Sequence, residues 1–186
     1  VAAGTDGSVV VSNYQPSGSL RHVLAAELFG AKTGDVLLWA RDAGWRHVPL
    51  TATALPNGVA LSADGAMLFF SESATGLVHR LPLNGGGGAI SVNVGDSPDN
   101  LAWTDQGRLL ASSHAAGLRL SECLFGRGPC KTPWTVYEID PLTLSVHEVF
   151  AHDGAELGAV SSATQVGDKL VLGSIFDDRI GLLGVR

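Results

Sequence analysis

Two stretches of the chain repeat each other without gaps, and this repeat constrains the fold more than any other feature. The first, from Pro56 to Glu72, reads PNGVALSADGAMLFFSE, and the second, from Pro98 to His114, reads PDNLAWTDQGRLLASSH. The offset is 42 residues throughout, so that Asn57 aligns with Asp99. A period of about 40–50 residues made of short strands is typical of β-propeller blades. The repeat therefore predicts an all-β protein.

Four glycines extend this pattern towards both ends of the chain. Gly7, Gly65, Gly107 and Gly167 each stand in a turn just before an apolar run. A tight hairpin requires a positive φ angle, which glycine adopts without steric cost. We therefore predict a β-propeller of four-stranded antiparallel blades, of which the chain contains about three and a half.

The predicted secondary structure consists mostly of short strands bounded by Gly, Pro, Asp or Asn. The strands are Ser8–Ser12, Val36–Ala40, Val59–Leu61, Met67–Ser71, Val78–Pro82, Leu101–Trp103, Leu109–Ser112, Thr135–Ile139, Val146–Phe150, Leu170–Gly173 and Ile180–Val185. Arg21–Leu28 favours a short helix because its apolar residues do not alternate cleanly, and a loop over the propeller face is the alternative. Asn84–Gly88 is predicted to be an outer hairpin turn.

Composition agrees with many buried strands joined by turns. The chain has 24 Gly and 8 Pro, and 16% of its residues are charged, against a usual fraction of about 25%. The net charge of −6 leaves no basic stripe for a nucleic acid. No apolar run reaches the roughly 18 residues that a membrane-spanning helix needs. A chain of 186 residues is predicted to form a single domain over its whole length, residues 1–186.

Cys123 and Cys130 bracket a short turn-rich segment, LFGRGP. This spacing favours a disulfide, which would stabilise the fold by about 2.5 kcal/mol in the loop-entropy description. A metal site at the two cysteines is disfavoured, because no second Cys or His pair has ligand spacing. The predicted disulfide favours a periplasmic or secreted location.

The chain resembles the paraoxonase, gluconolactonase and strictosidine-synthase-like superfamily over nearly its whole length. The resemblance is carried by GVALSADGAMLFFSE, PDNLAWTDQGRLLASSH and AVSSATQVGDKLVLGSIFDDRIGLL, in that order. The pair Asp99–Asn100 resembles the arylesterase and lactonase branch, while the ending Gly173–Phe176 resembles both the paraoxonase and strictosidine-synthase-like branches. The resemblance implies a six-bladed propeller whose N-terminal blades are missing, with open sheet edges that invite self-association.

The resemblance also implies a calcium ion in the central channel, held by oxygen atoms from several blades. The matching positions are Asn13, Asn57, Asp99 and Asn100. Amide and carboxylate oxygens suit Ca²⁺, and the lack of Cys or His among the four argues against Zn²⁺. The alternative at each position is a purely structural role, because Asn-Gly and Pro-Asp-Asn are ordinary turn sequences.

His114 matches a channel-facing histidine of the paraoxonase branch, which implies that it lines the substrate pocket. The alternative is a histidine at the end of a strand, bonded to a neighbouring carbonyl. Asp99 and His114 are thus the candidate catalytic residues, and Ser174 and Phe176 are candidates for the pocket wall. The predicted function is calcium-dependent hydrolysis of a small lactone or ester. A strictosidine-synthase-like protein without metal-dependent hydrolysis and a non-catalytic binding propeller are the alternatives.

Overall fold

The computed structural model describes residues 1–15, 18–115, 123 and 130–184, and they form four antiparallel sheets and a helix. The chain divides into two compact units, Val1–Asn93 and Val94–Arg186. Each unit contains two of the sheets. The single domain over residues 1–186 and the self-association through sheet edges stay predictions.

In the first unit, both sheets are meanders in which each strand pairs with the next strand along the chain. Blade 1 consists of β1 (Ala2–Ala3), β2 (Val9–Asn13), β3 (Asp35–Ala40) and β4 (Gly44–His47). Blade 2 consists of β5 (Pro56–Leu61), β6 (Met67–Glu72), β7 (Leu77–Pro82) and β8 (Ile90–Asn93). Helix α1 (Leu20–Phe29) lies between β2 and β3. The helix prediction is therefore confirmed over the loop alternative.

The second unit repeats this arrangement. Blade 3 consists of β9 (Ser97–Trp103), β10 (Leu109–His114), β11 (Trp134–Ile139) and β12 (Val146–His152). Blade 4 has three strands among the described residues, β13 (Val160–Val166), β14 (Lys169–Ser174) and β15 (Ile180–Gly184). Three sheets of four strands and one of three agree with the predicted three and a half blades. Val185, the last residue of the predicted final strand, lies outside the described residues.

The sequence repeat is a structural repeat. Strands β6 and β10 have the same length and are offset by the same 42 residues as the repeat itself. Each of the four repeat glycines lies in the turn between the first two strands of its blade, with positive φ: Gly7 (+81°), Gly65 (+69°), Gly107 (+72°) and Gly167 (+61°). The predicted role of these glycines in tight hairpins is therefore confirmed.

Four strands were not predicted from the sequence, namely β1, β4, β8 and β13. Strands β4 and β8 are mostly exposed outer strands with sequences GWRH and ISVN, and neither has a strict apolar alternation. Strand β13, VSSATQV, carries mainly small and polar residues. The predicted turn at Asn84–Gly88 does connect β7 to β8.

Each unit has its own hydrophobic core. In the first unit, alternate residues of neighbouring strands pack together, among them Val10, Val36, Leu68, Phe70 and Leu81. In the second unit, the core contains Leu110, Trp134, Val136, Val160, Leu170 and Leu172. Burying side chains of this size stabilises each unit by about 1.5–3 kcal/mol per residue. Among the described residues, no helix is long and apolar enough to cross a membrane.

Candidate functional site

The predicted site residues are divided between the two units. Asn13 ends β2 and Asn57 is the second residue of β5, both in the first unit. Asp99 and Asn100 lie in β9, and His114 ends β10, all in the second unit. Asn13, Asn57, Asp99 and His114 lie at or near strand ends, whereas Asn100 is the central residue of β9.

The second unit brings Asp99 and His114 together. Asp99 Oδ2 lies 3.5 Å from His114 Nε2, and the two residues are 8% and 5% exposed. The other ring nitrogen, Nδ1, lies 3.1 Å from the carbonyl oxygen of Ala115. The carbonyl contact expected of a histidine at a strand end is thus present, and the ring also contacts a candidate catalytic carboxyl group. Two acceptors around one imidazole favour the doubly protonated ring.

The protonation of His114 follows from these contacts. Burial by itself lowers the pKa of a histidine, because it disfavours the charged form. The acceptors Asp99 and Ala115, with the negative charge of Asp96, outweigh burial and raise the pKa of His114. These contacts therefore favour the protonated form of the His114 ring.

A small cavity of about 160 Å³ opens beside His114. Its other walls include Asp96, Ser113, Trp134 and Tyr137. A larger cavity of about 800 Å³ lies elsewhere in the second unit, lined by residues such as Glu138, His147 and Asp168, and it contains none of the predicted site residues. We place the candidate site at the smaller cavity, because the buried and paired His114 lines it.

Ser174 and Phe176, the candidates for the pocket wall, do not line the cavity beside His114. The Ser174 hydroxyl donates to the carbonyl of Gly158 (2.6 Å) and accepts hydrogen bonds from the backbone N–H groups of Phe176 (3.1 Å) and Asp177 (3.0 Å). The serine therefore organises the turn after β14.

The three asparagines predicted to bind calcium are each anchored through the amide nitrogen. Asn13 donates to Asp35 Oδ1 (3.2 Å) and Asn57 donates to Ser73 Oγ (3.2 Å). Asn100 donates to Asp99 Oδ1 (3.1 Å) and to the carbonyl of Ser161 (3.0 Å). Within the part of the chain that the structure describes, the three amide oxygens accept no hydrogen bond. They therefore fit the oxygen chemistry that Ca²⁺ requires.

Among the described residues, no three His, Cys, Asp or Glu side chains are grouped as a metal site. Three of the four predicted ligands are asparagines, which are outside that set and offer neutral amide oxygens. Calcium binding by Asn13, Asn57, Asp99 and Asn100 stays a prediction.

Sequence reasoning missed two acidic residues beside predicted positions. Asp35 lies opposite Asn13 in the β2–β3 pair and forms an ion pair with His47. Asp96 adds its negative charge to the surroundings of His114. Sequence reasoning also missed Glu72, which is buried at the end of β6. The repeat contained the signal for Glu72, because this residue aligns with His114.

The predicted disulfide is confirmed. Cys123 and Cys130 are joined by an S–S bond of 2.09 Å, and their Cα atoms lie 4.9 Å apart. Thr132 Oγ1 lies 2.9 Å from Cys123 Sγ and 3.2 Å from Cys130 Sγ, so that its hydroxyl donates to a sulfur. The backbone carbonyl of Thr132 accepts a hydrogen bond from Ala159 (2.9 Å). The bridge is thereby connected to the segment before β13.

Comparison with known proteins places this geometry in context. No family model matches the chain. Two relatives from Arabidopsis thaliana are strictosidine synthase-like protein 8, 31% identical over 97 residues, and strictosidine synthase-like protein 9, 30% identical over 117 residues. These alignments cover 50% and 61% of the chain. The chain spans only 26% and 30% of the two relatives.

Solved structures match the fold over most of the chain at low sequence identity. Virginiamycin B lyase from Staphylococcus aureus aligns with 98% of the chain and 50% of its own length (TM-score 0.62, 13% identity). The calcium-binding protein regucalcin from Agrobacterium tumefaciens aligns with 95% of the chain and 54% of its own length (TM-score 0.57, 13% identity). A gluconolactonase from Xanthomonas campestris aligns with 80% of the chain and 49% of its own length (TM-score 0.56, 18% identity). The chain is a partial β-propeller.

Together these similarities fit a β-propeller superfamily of the kind that the sequence resembles. The structural neighbours include enzymes, a gluconolactonase and a lyase. The two curated relatives are named for the strictosidine-synthase-like branch, which the sequence analysis kept as the alternative.

Proposed function

We propose that the complete protein is a calcium-dependent hydrolase of small lactones or esters. The observation that carries the proposal is the buried pair Asp99–His114, of which His114 lines the small cavity. The fold likeness to a gluconolactonase and to the calcium-binding protein regucalcin supports it. A cavity of about 160 Å³ suits a compact ring or a short ester.

Asp99 and Asn100, both in the second unit, are the residues that would hold the ion there, while Asn13 and Asn57 stay predicted ligands in the first unit. A bound Ca²⁺ supplies Lewis acidity, which polarises the carbonyl of the substrate and stabilises the developing oxyanion. The amide of Asn100 donates a hydrogen bond to Asp99 Oδ1 (3.1 Å) and orients this carboxyl group.

His114 acts in this proposal as a proton donor. Its Nδ1–H is held by the carbonyl of Ala115 at 3.1 Å, whereas the contact of Nε2 with Asp99 is longer, at 3.5 Å. The longer contact leaves the Nε2 proton free to pass to the alkoxide that leaves when the ester bond opens. The raised pKa of His114 favours the form of the ring that carries this proton.

A panel of lactones and aryl esters, assayed on the complete protein with and without chelator, tests the proposal. We expect turnover in calcium that is lost in chelator, and loss of at least about 100-fold in kcat for His114→Gln. Asp105→Asn is the matched control, because Asp105 is exposed in the turn between β9 and β10. Full activity in excess chelator would overturn the metal-dependent mechanism.

A strictosidine-synthase-like activity without metal-dependent hydrolysis is the second candidate. It is favoured by the two relatives at 31% and 30% identity. Condensation of an amine with an aldehyde does not require the carboxylate of Asp99. A product formed from these substrates equally by the wild type and by Asp99→Asn, in chelator, would support this candidate.

A further inference from the structure

A second chain of polar groups, in the first unit, ends at an exposed hydroxyl. Glu72 Oε2 lies 2.7 Å from His79 Nε2, and His79 Nδ1 lies 2.7 Å from Ser91 Oγ. Glu72 and His79 are each 8% exposed, whereas Ser91 lies exposed on β8. A carboxylate, an imidazole and a hydroxyl in series is the arrangement that activates a serine nucleophile.

The strand register explains why these three side chains meet. His79 on β7 lies directly opposite Phe70 on β6 and opposite Ser91 on β8. Glu72 is two residues beyond Phe70, so it shares the face of Phe70 and is a diagonal neighbour of His79. The ring of Phe70 stacks on the imidazole, with centroids 4.6 Å apart. This stacking fixes the plane of the His79 ring.

The hydrogen bonds also set the position of the proton on His79. Glu72 Oε1 accepts a hydrogen bond from the backbone N–H of Ala54 (3.0 Å). Burial by itself raises the pKa of Glu72, but the hydrogen bonds from His79 and Ala54 outweigh it and the pKa is lowered. The ionised carboxylate keeps a proton on His79 Nε2. The lone pair on Nδ1 then faces the hydroxyl of Ser91, as a general base requires.

We propose that Ser91 is a nucleophilic serine, activated by His79 with Glu72 as a positioning residue, that accepts an acyl or phosphonyl group from an activated ester or fluoride. Ser91 Oγ forms a bond to the carbonyl carbon or to phosphorus, and the bond to the leaving group breaks. The hydroxyl proton passes to His79 Nδ1, and the leaving group departs with the bonding electron pair. The proposal uses residues of the first unit alone, and it does not depend on the hydrolase proposed above.

An alkyl fluorophosphonate, added to the complete protein in excess chelator, tests this assignment. Chelator suppresses any metal-dependent destruction of the probe, so failure of one proposal is distinguishable from failure of the other. Phosphorus then bonds to the serine oxygen while fluoride leaves, and peptide mass spectrometry locates the adduct. We expect modification at Ser91 that is absent in Ser91→Ala. His79→Asn, which keeps a side chain near Ser91 without its basicity, should slow labelling roughly 100-fold or more.

The pH profile of labelling tests the positioning role of Glu72 separately. Glu72→Gln removes the negative charge that favours the protonated imidazole, so the pH profile of labelling should move to lower pH. Ser145→Ala is the matched control, because the Ser145 hydroxyl is exposed and accepts a hydrogen bond from Thr143. It should leave labelling at Ser91 unchanged.

Two results would overturn the proposal. One is a folded protein, verified by circular dichroism, in which Ser91 is labelled no faster than Ser145. The other is an unchanged labelling rate in folded His79→Asn. If His79→Asn does not fold, the comparison of Ser91 with Ser145 in the wild type decides alone.

Discussion

Glu72 and His114 occupy the same position in consecutive blades, as the last residues of β6 and β10. Each is buried and each contacts a partner of opposite character within its own blade. Glu72 contacts His79 at 2.7 Å, and His114 contacts Asp99 at 3.5 Å. The last residue of the second strand is thus a glutamate in blade 2 and a histidine in blade 3. The same position of the repeat therefore belongs to two different polar centres.

The first prediction concerns the proton of His114. Asp99→Asn should lower the pKa of His114, because it removes the carboxylate that favours the imidazolium. The raised pKa contributes stability that is fully present below the pKa of an unfolded histidine, about 6.5. That stability is lost as the pH rises through the folded pKa. NMR titration of the ring checks the pKa, and Asp105→Asn should leave it unchanged.

Calcium should stabilise the complete protein through the predicted ligands. At a calcium concentration 100 times Kd, binding adds about 2.7 kcal/mol to the free energy of unfolding. Asp99→Ala should remove the rise in melting temperature that calcium gives to the wild type, whereas Asp105→Ala should keep it. Differential scanning calorimetry provides the measurement. Equal melting temperatures of the wild type in calcium and in chelator would contradict the prediction.

Glu72 should make the stability of blade 2 sensitive to acid. Its lowered pKa contributes stability that is present above the pKa of an unfolded glutamate, about 4.3, and is lost as the pH falls through the lower folded value. Glu72→Gln should reduce the free energy of unfolding at neutral pH by about 1–3 kcal/mol and flatten its acid dependence. Urea denaturation at several pH values measures both effects. Glu148→Gln, at an exposed position on β12, is the control.

Removal of the disulfide should destabilise the protein by about 2.5 kcal/mol in the loop-entropy description. The double variant Cys123→Ser/Cys130→Ser should show this loss in urea denaturation, and reductant should produce a similar loss in the wild type. Reductant should not affect the double variant. An unchanged midpoint in both experiments would mean that the bridge adds no stability.

Gly158 should not tolerate a side chain. A Cβ atom at this position would lie 1.7 Å from the carbonyl oxygen of Cys130, and relief requires the backbone to move. Gly158→Ala should therefore cost about 1–3 kcal/mol or more. Gly88→Ala is the matched control, because a Cβ there meets nothing within 4 Å. Thermal unfolding of the two variants measures the difference.

The sequence predicted those parts of the fold that a local pattern determines. The hairpin glycines, eleven of the fifteen described strands and the disulfide follow from turn chemistry, from apolar residues and from short spacing. The outer strands β4 and β8 were missed, because exposed strands need no apolar alternation.

The candidate site was predicted in part. The repeat gave the types and positions of Asn57, Asp99 and Asn100, whereas Asn13 was predicted only from the family resemblance. The pairing of Glu72 with His79 was not, because it arises from the diagonal register of two strands. Phe176 was predicted to lie in the pocket wall. Its backbone N–H donates to the Ser174 hydroxyl, and this local hydrogen bond sets its position at the end of β14.

The anchored asparagines have a thermodynamic consequence for any ion that they bind. Because Asn13, Asn57 and Asn100 are each held by their nitrogen atoms, folding has already ordered these side chains. Ordering a flexible side chain on binding costs about 0.5–1.5 kcal/mol. Amide side chains that are already ordered avoid this cost. The affinity of such a site for a cation would therefore depend mainly on the free energy of desolvating the cation.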